Sequence, residues 1–304
     1  MLKTIKCLIN DLDKNHRYTF AQALSWIPDS LYLKVVFRVF MGYPLNLKNP
    51  RTYNEKLQWL KLYDRNPFYT QLVDKYEVRR YILEKLGEEY LIPSYGVWNS
   101  FNDIPFDTLP NQFVLKCTHD CGSIIICENK ANFDIETARK KISVALKKKY
   151  YYLSREWPYK NIKPRIIAEK FMTDESGVEL KDYKVFCFNG VPKLIQVNYD
   201  RFTNPKKNIY DTDWNYIPVA MTYPTDPKKI ISKPDNLKAM LSVAKILSKD
   251  YPTVRVDFYL IYNKIYFGEL TFFPASGFGK FEPEEFDLKM GSWMNLIPSD
   301  LNGR

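Results

Sequence analysis

Histidine is almost absent from this chain, and cysteine is sparse. The 304 residues include 2 His and 5 Cys, which nearly excludes a zinc site built on histidine. The cysteines are odd in number and lack the paired C-x-x-C spacing, so neither a disulfide framework nor a structural zinc is indicated. This usage fits a reducing compartment, and we expect a cytoplasmic protein.

Long apolar runs are missing as well. No segment approaches the ~20 apolar residues of a membrane span. The apolar stretch in residues 1–10 is too short and too interrupted for a signal peptide. The motifs G-x-x-x-x-G-K-[ST] and G-x-G-x-x-G do not occur, so the sequence supports neither a P-loop nor a dinucleotide-binding site.

Positive charge and aromatic residues are in excess. The formal net charge is +10, and aromatic residues make up 16% of the chain. Such a protein can bind polyanions, anionic lipid surfaces or phosphorylated substrates. Three lysines at 147–149 precede three tyrosines, a pattern that can bind nucleic acid by base stacking. The helix predicted from Asp134 also ends there, and lysines complement the dipole of a helix end. We favour the helix end and expect no nucleic-acid partner.

Helical patterns dominate the first third of the chain. Asp29 can cap an apolar segment that ends at Gly42, which predicts a helix that is either buried or in contact with a membrane surface. A shorter helix follows Pro50, and a long helix is predicted over residues 67–86.

Strand patterns dominate from Gln112 onward. Asn189-Gly190 between two apolar runs is a strong hairpin signal. The sequence predicts an α+β fold with mainly antiparallel sheets behind the helical third. Other predicted elements are strands near 113–117, 123–127 and 165–172, a helix near 235–249, and a hairpin over 254–271.

The terminal hairpin carries the most informative polar pattern. If residues 262–264 form its loop, Asp257 lies opposite Glu269 and Arg255 lies opposite Thr271, all on one face. Two opposed carboxylates repel each other, and Mg²⁺ would relieve that repulsion. Removal of one carboxylate would then raise the stability of the metal-free protein. The alternative is a solvated face that Arg255 neutralises. The opposite, core face carries Val256, Phe258, Leu260, Leu270 and Phe272.

Two further segments have the residues of a nucleotide site. Lys116 ends a strand immediately before a loop with Gly122 and Ser123. A lysine and loop N–H groups suit a phosphate, although an exposed lysine on a surface hairpin has the same pattern. The strand-to-connector step at Glu169 has backbone groups that can bind an adenine edge.

Four stretches in this order resemble the ATP-grasp superfamily, most closely its TupA-like branch. That branch is found with teichuronopeptide and capsular-polysaccharide synthesis genes, and the resemblance extends from around Asn49 to the end of the chain. The stretches are Asp74-Lys75, 113–119, 182–190 and 267–277.

The resemblance implies an ATP-grasp fold, in which two α+β subdomains grip ATP between antiparallel sheets. A helical N-terminal region precedes them. The implied boundaries are 1–66 for that region, 67–110 for a helix and linker, 111–172 for the first subdomain with the lid, and 173–304 for the second subdomain with the metal and acceptor sites.

The resemblance also implies residue roles, by analogy with D-alanine–D-alanine ligases. Mg²⁺ would be held by Asp257 and Glu269. Superfamily members usually have Asn two residues after the metal glutamate, where this chain has Thr271, a weaker ligand, and the substitution looks normal for the TupA-like branch. The implied ATP-binding residues are Lys75 and Lys116 at the phosphates, His119, Gly122 and Ser123 in the lid, Glu169, Lys170, Phe171 and Met172 at adenine, and Asp182 at the ribose.

The implied catalytic residues are Arg255, which would stabilise the reacting oxygens, and Lys184. Arg201 is a further candidate. It opens a segment with Lys206 and Lys207 that is either a loop closing over the phosphates or the acceptor carboxylate, or a plain surface loop. Ser276 and Gly277 are the implied acceptor-binding residues.

The resemblance implies an ATP- and Mg²⁺-dependent carboxylate–amine ligase that acts through an acyl phosphate. The expected substrates are a uronic acid of an anionic surface polysaccharide, or its precursor, and an amino acid. The basic surface also allows peripheral association with the inner face of the membrane. Alternatives are a sugar kinase on the same fold, a basic polysaccharide- or nucleic-acid-binding protein, and a glycosyltransferase. The D-x-D pattern at 211–213 is predicted to be a plain loop.

Overall fold

The computed structural model describes residues 14–175, 177, 180–200 and 205–296. The helices are α1 (Lys14–Ala23), α2 (Asp29–Met41), α3 (Tyr53–Tyr63), α4 (Phe68–Val73), α5 (Val78–Lys85), α6 (Ile135–Leu146), α7 (Tyr151–Ser154), α8 (Leu237–Ser248) and α9 (Glu285–Ser292). No helix in these ranges is both long and apolar enough to cross a membrane.

The strands form two main sheets and one small pair. They are β1 (Ser94–Trp98), β2 (Phe113–Cys117), β3 (Ile124–Cys127), β4 (Ile166–Lys170), β5 (Asp182–Phe188), β6 (Val191–Tyr199), β7 (Lys206–Tyr210), β8 (Tyr216–Ile217), β9 (Ala220–Met221), β10 (Thr253–Ile261), β11 (Lys264–Thr271) and β12 (Phe281–Glu282). The strand orders are β1-β4-β2-β3, β11-β10-β5-β6-β7-β8 and β12-β9.

The predicted helix at Asp29 is confirmed, and it has both a buried and an exposed side. Its cap was predicted wrongly, because the Asp29 carboxylate accepts from Arg65 and Tyr151 rather than from the first N–H groups of the helix. Gly42 ends α2 in the left-handed region, with φ of 93°, and its N–H donates to the Arg38 carbonyl. Tyr32, Leu33 and Phe37 form a small core with Leu45, which explains why the segment is mostly apolar.

The single helix predicted over residues 67–86 is wrong, because Asp74 divides it into α4 and α5. The Asp74 carboxylate accepts from the backbone N–H groups of Tyr76 and Glu77, at 2.8 and 3.2 Å. These bonds hold the turn over residues 74–77 that separates the two helices and leads into α5. Lys75 therefore lies between the two helices, where its Nζ donates to the Asp120 carbonyl.

The four-stranded sheet is antiparallel and packs against α6. Asp134 caps α6 as predicted, with Oδ1 accepting from the Thr137 N–H at 2.9 Å. The sheet and helix share a core that includes Phe113, Leu115 and Ile142. Strand β1 lies within the segment predicted as helix and linker, so this sheet includes residues on both sides of the implied boundary at 110.

The six-stranded sheet is antiparallel throughout, and α8 packs against it. The predicted hairpin turn at Asn189-Gly190 is confirmed. Both turn residues have positive φ, 47° and 77°, as a two-residue turn that matches strand twist requires.

The terminal hairpin has the predicted register with a different turn. The loop is two residues, Tyr262 and Asn263, rather than three, because Ile261 pairs with Lys264. A bulge at Gly268 absorbs the extra residue, so Asp257 still lies opposite Glu269. A Cβ on Gly268 would lie 3.0 Å from the Asp257 carbonyl oxygen, which explains why glycine occupies the bulge. The predicted core face is confirmed, since its five residues are buried.

A buried carboxyl joins the start of α3 to α9 and makes stability depend on pH. Asp287 accepts from the Asn54 backbone N–H at 3.0 Å and from its amide at 2.8 Å. Burial raises the pKa of Asp287 from 3.8 to about 6. The folded state then binds this proton more tightly than the unfolded state, so stability is greatest below the unfolded pKa and is lost as pH rises through about 6.

We expect Asp287→Asn to remove that pH dependence. The free energy of unfolding of the parent minus that of the variant should fall by on the order of 2 kcal/mol as the pH rises from 4 to 7. Urea denaturation at both pH values measures this difference. A difference that does not change with pH would show that Asp287 titrates normally.

Candidate active site

Two adjoining cavities lie between the main sheets. One has a volume of about 500 Å³ and the other of about 340 Å³. Both are lined by residues of the four-stranded sheet and by Tyr259 of the six-stranded sheet. The lining residues that they share are Ile92, Lys116, Ile124, Glu169 and Tyr259.

The smaller cavity is an apolar slot with a few polar groups at its edge. Val114, Ile126 and Leu180 contribute to its walls. An apolar slot with few polar groups suits a flat aromatic ring system. The structure brings together here the four residues predicted at adenine, Glu169, Lys170, Phe171 and Met172.

The larger cavity is strongly charged. It collects residues that are distant in sequence, and cations and carboxylates alternate across it. Such an arrangement can bind a polyphosphate together with a metal ion. Its charged lining includes the predicted residues Lys75, Lys116, Glu169, Asp182, Lys184, Arg255, Asp257 and Glu269.

Asp257 is buried and held by two cations. Arg255 donates to both carboxylate oxygens, from Nε to Oδ1 and from Nη2 to Oδ2, each at 2.7 Å. Lys184 lies opposite Asp257 on β5 and also donates to Oδ2. Burial alone would raise the pKa of Asp257, but Arg255 and Lys184 hold it below its usual value. The repulsion expected between the opposed carboxylates is therefore already relieved by side chains.

Glu269 lies on the same face in a more open position. Its side chain is 42% exposed and meets Arg255 Nη2 at 3.4 Å. Thr271 Oγ1 accepts from Arg255 at 3.0 Å and donates to Glu269 at 3.2 Å. Thr271 does not line the cavity, so it positions these two side chains. The face is not a solvated charge ladder, because Asp257 is only 2% exposed.

This donor set fits a magnesium ion that is shared with substrate phosphates. Mg²⁺ is commonly held by one or two carboxylates and by phosphate oxygens, rather than by a complete protein cage. Asp257 and Glu269 would supply the two carboxylates. In the described part of the chain, no cluster of three or more His, Cys, Asp or Glu is arranged to hold a metal.

The buried Lys184 and the partly buried Lys116 are bound to carboxylates at the cavity wall. Lys184 Nζ lies 2.6 Å from Asp182, and Lys116 Nζ lies 2.7 Å from Glu169. Burial would lower the pKa of both lysines, but Asp182 and Asp257 raise that of Lys184, and Glu169 raises that of Lys116. Both ammonium groups therefore stay charged.

The loop predicted as a lid contributes only part of its residues to the cavity. Gly122 lines the charged cavity. His119 is 3% exposed and lines neither cavity, and burial lowers its pKa. Ser123 donates to the Asp120 carboxylate and faces α6 instead. Lys75 anchors the loop through the Asp120 carbonyl.

Ser276 and Gly277 line neither cavity. Gln58 donates to the Gly277 carbonyl at 2.7 Å, and Lys61 donates to the Ser276 carbonyl at 2.8 Å. Ser276 Oγ donates to Glu156 at 2.6 Å. These contacts join α3 to the segment after β11, and the acceptor role of Ser276 and Gly277 stays a prediction. Arg201 lies outside the described residues.

Among the further residues that line the charged cavity, Tyr259, Asn198 and Tyr223 were not predicted from the sequence. Tyr259 follows Asp257 by two residues on the same strand, and this spacing alone could have indicated it. Asn198 pairs with Asp182 across β5 and β6. This register depends on the Asn189-Gly190 turn and on a one-residue shift between the Cys187 and Phe186 pairings, which the sequence does not display. Lys207 belongs to the segment after Arg201 that was predicted to be a loop near the phosphates or the acceptor, and in the structure it lies on strand β7 instead. Tyr223 carries no local signal, because the tertiary fold brings it to the cavity.

Comparisons with known proteins give one family match and several solved structures that are similar to this chain. The sequence model of the family described as TupA-like ATPgrasp matches residues 55–295. Among solved structures, D-alanine–D-alanine ligase from Helicobacter pylori is 13% identical with a TM-score of 0.39, over 81% of this chain and 70% of the ligase. The RimK domain protein ATP-grasp from Sphaerobacter thermophilus is 10% identical with a TM-score of 0.42, over 76% of this chain and 70% of that protein.

N5-carboxyaminoimidazole synthetase from Staphylococcus aureus, solved with ADP, is 15% identical with a TM-score of 0.40, over 81% of this chain and 51% of that enzyme. No curated protein matches the chain. The family assignment rests on the family model, which covers most of the sequence. The chain belongs to the TupA-like ATP-grasp family, and it is an ATP-grasp ligase with an α+β fold whose usual cofactors are ATP and Mg²⁺.

Proposed function

We propose that this enzyme joins an amino acid to the carboxylate of an anionic sugar, a uronic acid of a surface polysaccharide or its precursor. The observation that carries the ligase chemistry is the apolar slot that adjoins a cavity of alternating cations and carboxylates. The net charge of +10 supports an anionic acceptor.

The nucleotide would extend across both cavities. The base would occupy the slot beside Phe171 and Met172, and the phosphates would contact Lys75, Lys116 and Lys184. Asp257 and Glu269 would hold Mg²⁺, which supplies positive charge to the phosphate oxygens.

The reaction proceeds in two transfers. The acceptor carboxylate takes the γ-phosphoryl group and releases ADP, and the amine then attacks the acyl carbonyl and releases phosphate and a proton. Arg255 places N–H donors where negative charge develops on the carbonyl oxygen. Lys184 holds Asp257 and keeps a fixed positive charge beside the phosphates. The loop at Gly122 covers this region, and exclusion of water protects the acyl phosphate.

The test is a matrix of amino acids and uronic acids with Mg·ATP. We expect phosphate release that requires both an amine and a uronic acid. A sugar kinase would instead form ADP and a stable phosphate ester without any amine. A polysaccharide-binding protein without ATP chemistry would show no thermal stabilisation by Mg·ATP.

We expect Lys116→Met to weaken ATP binding by about 1.5–3 kcal/mol, the scale of a charge-assisted hydrogen bond. Calorimetric titration with Mg·ATP measures the change. Lys193→Met is the matched control, because Lys193 is an exposed lysine of β6 that lines neither cavity. Equal affinity in parent and Lys116→Met would remove Lys116 from the phosphate site.

A further inference from the structure

A polar row crosses the six-stranded sheet and continues beyond the proposed nucleotide site. Tyr259 pairs with Asp182, Asp182 pairs with Asn198, and Asn198 pairs with Lys207. Directly paired residues project to the same face, so all four face the charged cavity, and all four line it. The row therefore extends the cavity floor from β10 to β7.

The far end of this row combines a cation, an aromatic ring and an amide. Lys207 Nζ lies 4.5 Å from the centroid of the Tyr223 ring. Tyr223 is 44% exposed and also lines the cavity. Asn198 Oδ1 accepts from Gln196 at 2.7 Å, so the group that Asn198 offers as a donor is its Nδ2.

These groups suit an anionic carbohydrate. The face of an exposed tyrosine ring packs against the C–H face of a sugar, while a lysine and an amide bind carboxylate, phosphate or hydroxyl oxygens. Asp182 does not repel such an anion, because Lys184 holds it at 2.6 Å.

The position of Lys207 decides which anionic group it can bind. Lys207 lies on β7, two strands from Lys184 on β5, and adjacent strands are about 4.8 Å apart. The two strands are thus about 10 Å apart across the sheet. The Lys184 ammonium group is held by Asp182 and Asp257, whereas the Lys207 ammonium group lies over the Tyr223 ring. The two lysines therefore present their charges to different parts of the cavity, and a carboxylate that reacts beside Arg255 and Lys184 leaves Lys207 for another anionic group.

We infer that the Lys207–Tyr223 end of the cavity binds a second anionic group of the acceptor, next to the sugar that carries the reacting carboxylate. This inference rests on the proposed function. The acceptor is accordingly at least dianionic. The second group is either the carboxylate of a neighbouring sugar or a phosphate attached to the same sugar. A lysine and an amide donor would bind the oxygens of either group in the same way.

The test compares galacturonate, digalacturonate and galacturonate 1-phosphate as acceptors, by phosphate release with Mg·ATP and an active amino acid. We expect at least one dianionic acceptor to have a KM about tenfold or more below that of galacturonate. Preference for digalacturonate identifies a neighbouring sugar, and preference for the 1-phosphate identifies a phosphate.

Variants test which residues cause the preference for a dianionic acceptor over galacturonate. We expect Lys207→Met to abolish this preference, Tyr223→Ala to reduce it, and Lys193→Met to leave it intact. The KM for ATP should be unchanged in all three variants. Equal KM values for the three acceptors, or a preference that Lys207→Met retains, would overturn the inference. A Lys207→Met variant that raises only the KM for ATP would do the same, because it would place Lys207 at the nucleotide.

Direct binding separates this inference from the proposed function. Calorimetry with a non-hydrolysable ATP analogue and Mg²⁺ measures sugar affinity without turnover. Tighter binding of a dianionic sugar that Lys207→Met loses, without any amine-dependent phosphate release, supports the subsite and overturns the ligation of uronic acids. Ligation of galacturonate without dianion preference supports the proposed function and overturns the subsite.

Discussion

Glu269→Gln should abolish ATP-dependent turnover while leaving the fold almost as stable as the parent. The Glu269 side chain is 42% exposed, and its contact with Arg255 is long, at 3.4 Å. An exposed pair of this kind contributes about 1 kcal/mol or less to stability. The lost carboxylate would nevertheless remove one of two metal-binding groups, and we expect kcat to fall by about a hundredfold or more.

Asp257→Asn, at the opposed position, should lose both activity and stability. Asp257 is buried and neutralises Arg255 and Lys184. Removing the Asp257 charge leaves the positive charges of Arg255 and Lys184 in the interior without this partner. We therefore expect a loss of about 3 kcal/mol in the free energy of unfolding. Stability and kcat of both variants, from urea denaturation and phosphate release, test the contrast. Equal stability losses in the two variants would contradict it.

This expectation reverses the one drawn from the sequence for Asp257. Opposed carboxylates without a metal should repel, so removal of either was expected to raise stability. The structure shows why this is wrong for Asp257, since Arg255 and Lys184 already hold its pKa below the usual value. A lowered pKa adds stability above the unfolded pKa and loses it as pH falls through the folded value. The deficit of Asp257→Asn should therefore shrink in acid.

Arg255→Lys should be nearly as damaging to activity as loss of Glu269. The guanidinium binds both oxygens of Asp257 and also meets Glu269 and Thr271. A lysine keeps the charge but loses the planar two-point geometry. We expect kcat to fall by about a hundredfold to a thousandfold.

The KM for ATP should change little in Arg255→Lys, because the lysines remain at the phosphates. Steady-state kinetics with saturating and limiting ATP separate the two parameters. A normal kcat with a raised KM for ATP would show that Arg255 binds nucleotide rather than the reacting oxygens.

Local sequence patterns predicted the terminal hairpin well because strand alternation is a short-range rule. The face shared by Arg255, Asp257, Glu269 and Thr271 follows from the period of two and from the pairing register. The turn has one residue fewer than predicted, and the bulge at Gly268 restores the predicted pairing of Asp257 with Glu269. A bulge depends on close contact with the neighbouring strand, here the Asp257 carbonyl, which the hairpin sequence does not display.

The helix predicted over residues 67–86 was misjudged because of one side chain. Asp74 interrupts a continuous apolar pattern, since its carboxylate accepts hydrogen bonds from the backbone N–H groups of Tyr76 and Glu77. The contacts of the Ser276 and Gly277 carbonyls with Lys61 and Gln58 of α3 join segments that are far apart in sequence, and local patterns do not display them. The contact between Lys207 and Tyr223 at the end of the cavity joins two separate segments, so no local sequence pattern predicts it.

The central claim is that Asp257 and Glu269 bind a magnesium ion together with the phosphates of ATP. Calorimetric titration of ATP with and without Mg²⁺, in the parent and in Glu269→Gln, tests it most directly. The claim predicts that Mg²⁺ strengthens ATP binding to the parent about tenfold or more and has little effect on Glu269→Gln. An equal effect of Mg²⁺ on the affinity of both proteins would contradict it.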